Sequence, residues 1–341
     1  MEKIISNPYI IAELGGNHDG KRDYIYEGIY EAKKSGANAI KLQYYNAESL
    51  IHPNTPLMKN VKNSNTKDKN QYDRYKRLEL EINEVPKFYK FAKKLKIDFG
   101  LSIFDHTKVK FLSKYTDFFK IASGDIEYFP LLREISKYKK KIFLSTGLSN
   151  LKIIDRAVKF FKKKDLVIMH CICCYPTKEE DYNLSSINLI KQKYKNLHSV
   201  GISDHTKSNI VSSISVALGV NYIEKHFLPN YKVKNVGDFS LSLNPKEFKN
   251  FVINIKKVVK IMGKNKKEKF LCEKPFEKSL RRSVYINKNI KRYEKLRKND
   301  IKIIRPYNIS GVATYEINKL IGKKIKISLK KNSLIKKSYF Y

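Results

Sequence analysis

The chain has 341 residues, 42% of them hydrophobic, with 70 Lys and Arg against 33 Asp and Glu and a formal net charge of +37. Aliphatic and aromatic residues recur throughout, which excludes wholesale disorder, and no apolar run approaches the ~18 residues of a membrane helix. The opening MEKIISNPYIIAELGG lacks the basic start, long apolar core and cleavage site of a signal peptide, so the expected compartment is the cytoplasm.

Short apolar strands alternate with amphipathic helices along most of the chain. Strands are predicted at 9–15, 39–45, 98–104, 118–123, 141–146, 166–174, 199–204 and 222–227. Helical spacing of apolar residues is read over 21–35, 84–96, 128–139, 150–163, 184–195 and 207–218, with another at 245–261 after the last strand. Eight βα units within 1–262 fit the arithmetic of a (β/α)8 TIM barrel, which takes about 250 residues. A doubly wound sheet would favour G-x-G-x-x-G after the first strand, and GGNHDG at 15–20 does not match it. The unit between the second and third strands is the longest. Its polar excess, 47–78, is expected as a long loop over the barrel mouth, either a lid or a surface insertion.

Beyond 262 the pattern changes. Residues 263–278 read as a charged linker and 279–341 as a separate small domain of short strands and turns. That domain holds 18 basic and 3 acidic side chains. Lysine also spreads over the polar face of every predicted helix. The surplus therefore reads as a solvated surface, with no nucleic-acid and no membrane partner expected. A polyanion-binding tail is the competing reading of 279–341.

Strand side chains alternate between barrel interior and helix layer, and barrel chemistry collects at the C-terminal strand ends. Glu13 ends the first strand, and Lys41 and Gln43 lie two apart on the second. Lys120 and Ser123 end the fourth, Ser145 the fifth, and Cys173 and Tyr175 the sixth. Ser203 and His205 lie two apart on the seventh, Glu224 and His226 on the eighth. A buried lysine without a partner is costly, so inward lysines imply a ligand. Two histidines on adjacent strands with a carboxylate near suit a divalent metal that keeps open positions. Two lysines among hydroxyls suit a phosphate and a carboxylate. Lys120 alone would also suit a Schiff-base aldolase. The four cysteines, Cys171, Cys173, Cys174 and Cys272, are expected as free thiols. Alternation separates Cys171 and Cys173 from His170 and Cys174, which argues for packing over a zinc site.

Seven ordered motifs carry a resemblance. They are IAELGGNHDG (11–20), IKLQ (40–43), KIASGD (120–125), LSTG (144–147), HCxxxYPT (170–177), GISDHT (201–206) and EKHF (224–227). Together they resemble the sialic acid synthase family nearly end to end. EKP (273–275), SLRRS (279–283) and IKIIRP (301–306) look like that family's antifreeze-like SAF domain.

The resemblance implies a (β/α)8 barrel followed by a SAF domain, in a homodimer whose SAF domains each cover the partner's barrel mouth. It implies condensation of phosphoenolpyruvate with an N-acetylmannosamine-type sugar to a nine-carbon 2-keto acid and phosphate. His205 and His226 fall on the metal-ligand positions, commonly filled by Mn²⁺, with Mg²⁺ or Co²⁺ as alternatives. Lys41, Lys120, Ser123, Ser145 and Ser203 fall on phosphoenolpyruvate positions. Glu13 falls on the acidic residue beside the metal and the sugar aldehyde. Gln43, Tyr175 and Asp238 fall on sugar-binding positions, and Ser102 and Phe104 of the third strand join the expected substrate-binding set. Arg305 falls on the arginine that reaches the N-acyl group in the partner's site. Cys173 stands where some members carry an asparagine near the phosphate, which weakens one expected hydrogen bond. N-acetylneuraminate is the first expected product, with legionaminate and pseudaminate as alternatives.

Overall fold

Eight short strands rich in Ile, Leu and Phe close into a parallel barrel in chain order. The chain is described as a computed structural model over residues 7–62, 66–161, 165–195, 199–229, 238–264 and 266–341. The strands are β1 (Tyr9–Glu13), β2 (Ala39–Tyr44), β3 (Asp98–Ile103), β4 (Phe118–Ile121), β5 (Lys141–Ser145), β6 (Leu166–Cys171), β7 (Ser199–Asp204) and β8 (Tyr222–His226). The barrel closes where β8 returns beside β1, with Tyr9 opposite Tyr222 and Glu13 opposite His226. Each strand falls inside a predicted one, and most stop short of its end. Ser123 therefore opens a 3-10 turn beyond β4, Cys173 and Tyr175 sit in the loop beyond β6, and His205 lies one residue past β7.

The helices are amphipathic, and their apolar stripes seal the outer face of the strands. The last, Pro245–Met262, starts at Asn244, which forms a reciprocal capping box with Glu247. Several run shorter than the apolar spacing predicts; Leu151–Val158 replaces 150–163, whose last two residues lie outside the described set.

The segment 47–78 departs from the expected loop. It carries helices Ala47–Leu50, Lys59–Lys62 and Gln71–Leu78. Asn70 caps the third, accepting from the Asp73 amide at 2.8 Å. Leu78 and Arg74 turn inward from it. Residues 63–65 lie outside the described set.

Period-two alternation splits the barrel interior into an apolar floor and a polar top. Ile11, Ala39, Phe118, Phe143, Val167 and Met169 pack together as the floor. Two glycines make room for it. A Cβ on Gly100 would lie 2.1 Å from the Phe118 ring, and one on Gly201 would lie 2.3 Å from the Met169 sulfur. Gly100→Ala should therefore cost about 1–3 kcal/mol by overpacking. Urea unfolding would read that as a lower midpoint with an unchanged slope. Lys225 shows the opposite parity. It faces the helix layer and pairs with Asp204 at 3.0 Å, both side chains fully buried.

Contacts divide the chain into two units, Met1–Asn265 and Lys266–Tyr341. The second pairs Ser283–Ile286 antiparallel with Ile301–Ile304. It buries its own core, including Val284, Ile286, Leu296, Ile325 and Ile335. The helix Lys274–Leu280 begins within the stretch expected as a linker and runs two residues past it. Among the described residues, no helix is long and apolar enough to cross a membrane.

Candidate active site

The register of the barrel aligns polar side chains into a ring above the apolar floor. Glu13 is level with Lys41 and with His226. Gln43 is level with Ser102, and Ser102 with Lys120. Cys171 is level with Ser203, and Ser203 with Glu224. All belong to the inward parity that the floor residues occupy lower down. The period of two that buries Ile11 and Phe118 thus delivers Glu13 and Lys120 to the mouth.

The ring is bonded to itself. Lys41 Nζ lies 2.8 Å from Glu13 Oε2 and donates to Ser102 Oγ at 2.9 Å. Gln43 Nε2 donates to Glu13 Oε1 at 2.7 Å. Lys120 Nζ donates to Ser145 Oγ at 2.6 Å and lies 3.7 Å from Glu224 Oε1, which also accepts from Ser203 Oγ at 2.7 Å. Ser123 Oγ accepts from the Gly147 amide at 3.1 Å. Both lysines and both glutamates are at most 4% exposed. Burial at this level would neutralise isolated charges, so the ion pairs hold them.

The two carboxyls are driven apart. Burial pushes Glu13 above the usual carboxylate range, against the pull of Lys41. Burial acts on Glu224 the same way, but Lys120 and Lys41 overcome it and hold the group down at about 2. Paired carboxyls with separated pKa values are the usual basis for dividing proton transfer from charge stabilisation.

His205 and His226 stand with ring centroids 5.3 Å apart, and Tyr175 lies 4.4 Å from the His205 ring. Burial lowers both imidazole pKa values, that of His226 to about 4. His205 Nδ1 sits 2.8 Å from the Ile172 carbonyl. A carbonyl only accepts, so Nδ1 carries the hydrogen and Nε2 keeps a free lone pair. His226 Nδ1 is buried without a hydrogen bond, 3.8 Å from Asp238 Oδ2. Two neutral imidazoles with unused lone pairs fit a divalent cation. Among the described residues no three His, Cys, Asp or Glu side chains converge as a ready ligand set. A cation here would rest on two protein ligands and leave positions open to a substrate.

Thirteen of the fifteen sequence-predicted residues line one cavity at this mouth. They include Gln43, Ser102 and Phe104 on one side, Tyr175, Ser203 and His205 on the other, and Asp238 above His226. Cys173 does not line it; Cys171, the last residue of β6, does so in its place. The physical reason is strand length, since the chain leaves the barrel wall after Cys171. Arg305 belongs to the second unit, exposed, where its Nε donates to the Leu280 carbonyl at 2.7 Å. His170 points out of the barrel to the Tyr182 carbonyl at 2.8 Å, and Cys174 is exposed.

Sequence reading left Arg74, Tyr75 and Leu78 out of the site, yet all three line the cavity. The available signal was Asn70 as a cap followed by inward positions at helical spacing. Glu224 was visible two residues from His226 and proves central to the charge network.

Residues 28–267 match the model of the NeuB family, and residues 281–340 match that of the SAF domain. An uncharacterized protein of Methanocaldococcus jannaschii is 37% identical, over 96% of this chain and 93% of that protein. The N,N'-diacetyllegionaminic acid synthase of Legionella pneumophila is 30% identical, over 94% of this chain and 91% of that protein. Among solved structures, the N-acetylneuraminic acid (sialic acid) synthetase from Leptospira borgpetersenii, in complex with citrate, superposes with a TM-score of 0.70. It shares 30% identity and covers 80% of this chain and 90% of its own.

Proposed function

The chain belongs to the NeuB family, and from that premise we propose that its barrel cavity condenses phosphoenolpyruvate with the open-chain aldehyde of an acylated amino sugar. The products are a nine-carbon 2-keto acid and phosphate. The observation that carries this reading is the buried ring of two lysines, two glutamates and two neutral histidines in one cavity.

Lys41 and Lys120 take the carboxylate and phosphate of the donor, helped by Ser102, Ser123, Ser145 and Ser203. Gln43, Phe104, Tyr175 and Asp238 position the sugar. His205 and His226 would hold a divalent cation, Mn²⁺ as first choice, which when bound polarises a carbonyl oxygen as a Lewis acid. Carbon 3 of phosphoenolpyruvate forms the new bond to the aldehyde carbon, and the aldehyde oxygen takes up a proton. Water adds at carbon 2, with Glu13 accepting its proton. The C–O bond to phosphate then breaks, and the 2-keto group forms as the hydroxyl proton leaves. Glu224 stays ionised throughout and pairs with Lys120 and Lys41. Holding both substrates in one orientation supplies much of the acceleration.

Relatives are named as synthases of several such acids, and N-acetylneuraminate is the first candidate product for this chain, with legionaminate and pseudaminate as alternatives. The reading is tested by phosphate release from phosphoenolpyruvate with Mn²⁺ and each candidate acceptor. Release should require both the acceptor and the metal, and release that persists in excess chelator would contradict it.

In the same reading the chain works as a homodimer, with Arg305 serving the partner's barrel. Arg305→Ala should raise KM for the sugar more than KM for phosphoenolpyruvate. Mixing Arg305→Ala with a Glu13→Gln chain should give heterodimers in which one barrel is complete and active. Absence of that complementation would remove the exchange.

A further inference from the structure

The helix Gln71–Leu78 carries three cations, and two have carboxylate partners. Arg77 grips Asp68 with two nitrogens, at 2.8 and 2.7 Å, and Asp19 at 2.6 Å. Lys76 lies 3.3 Å from Glu79. Arg74 differs. It is 6% exposed and lines the cavity, and among the described residues its guanidinium makes no hydrogen bond or ion pair. Its Nη2 lies against the β1 loop, 3.4 Å from where a Cβ on Gly16 would be. The guanidinium faces the cavity, so its five N–H donors are available to a ligand there.

The surroundings define that ligand. Leu78 meets the same point beside Gly16 as Arg74, and Tyr45, Met58 and Tyr75 join them in the lining, all phenolic or apolar. Formal charges in the lining balance, with Lys41, Lys120 and Arg74 against Glu13, Glu224 and Asp238. Lys41 and Lys120 are engaged by Glu13, Glu224 and Ser145 and serve the donor in the proposed reaction, so a second dianionic phosphate would find Arg74 alone. An acetamido group matches both halves of the wall. Its carbonyl oxygen would accept from Arg74, and its methyl would pack on Leu78.

Resting on the proposed synthase reaction, we propose that Arg74 selects an acceptor bearing a second acylamino group, by donating to that group's carbonyl oxygen. Arg305 already accounts for the first acyl group in that reading. The favoured acceptors are then 2,4-diacetamido-trideoxyhexoses rather than N-acetylmannosamine.

The test uses the full chain with Mn²⁺ and phosphoenolpyruvate. The acceptors are a 2,4-diacetamido-trideoxyhexose, N-acetylmannosamine and N-acetylmannosamine 6-phosphate. A hydrogen bond from a charged donor should favour the diacetamido sugar in kcat/KM by roughly 10- to 100-fold. Arg74→Met, close in volume, should collapse that ratio toward one through KM, and Arg74→Lys should retain part of it. Circular dichroism of both variants checks the fold. An unchanged ratio in Arg74→Met overturns the proposal, as does a wild-type preference for either mannosamine. If no acceptor turns over, the synthase reading fails by itself, and calorimetric titration of the same sugars still decides the role of Arg74. Tighter binding of the diacetamido sugar that Arg74→Met abolishes supports it, and equal binding overturns it.

Discussion

Glu13→Gln should fold like the parent chain and turn over about 10²- to 10⁴-fold more slowly, the usual worth of a positioned general base. The substitution keeps volume and keeps an oxygen to accept from Gln43. It removes the one carboxyl in the ring whose burial outweighs its ion pairs, so that holding a proton is favoured. Lys41 does not lose its last counter-charge, because Glu224 Oε2 lies 3.9 Å away. The loss should therefore appear in kcat rather than in KM for phosphoenolpyruvate. Steady-state kinetics beside a thermal melt would check this. An unperturbed kcat would take Glu13 out of the proton transfer.

His205→Ala and His226→Ala should each weaken Mn²⁺ binding by more than 10-fold and lower turnover by about 10²- to 10³-fold. Those magnitudes follow from losing one of two protein ligands and several kcal/mol of charge stabilisation. The geometry is specific about why. The Ile172 carbonyl fixes the tautomer of His205, and burial keeps both rings neutral. Each ring therefore offers a lone pair without first shedding a proton. Calorimetric or paramagnetic titration of Mn²⁺ reads the ligand role independently of turnover. Parent-like affinity in both variants would place the cation elsewhere.

Much of the barrel was legible because one period serves two ends of each strand. Alternation in AIKLQYY and YIEKHF predicts that Lys41 and Gln43 share a side, as do Glu224 and His226. The polar ring confirms both pairs. Strand ends were less legible. LVIMHCICC stays apolar past the point where the chain leaves the sheet, so composition could not show that Cys171 rather than Cys173 faces the cavity. Arg74 was hidden for a different reason. The segment NSNTKDKNQYDRYKRL is polar by count, and an arginine there reads as solvated surface. Only tertiary packing turns the Arg74 face of its helix inward while Arg77 stays outside with Asp19 and Asp68. Arg305 could be placed within the second unit, but a role in another copy's cavity is not encoded in the local pattern of either unit.

The proposed reaction joins two substrates in this cavity with cleavage of the C–O bond of phosphoenolpyruvate. A single turnover with phosphoenolpyruvate labelled with ¹⁸O in the bridging position tests it most directly, with acceptor and Mn²⁺ present and products read by mass. All of the label should leave in phosphate, with a 2-keto acid equal in mass to acceptor plus pyruvate. Label retained in the organic product, or labelled phosphate formed without acceptor, would contradict it.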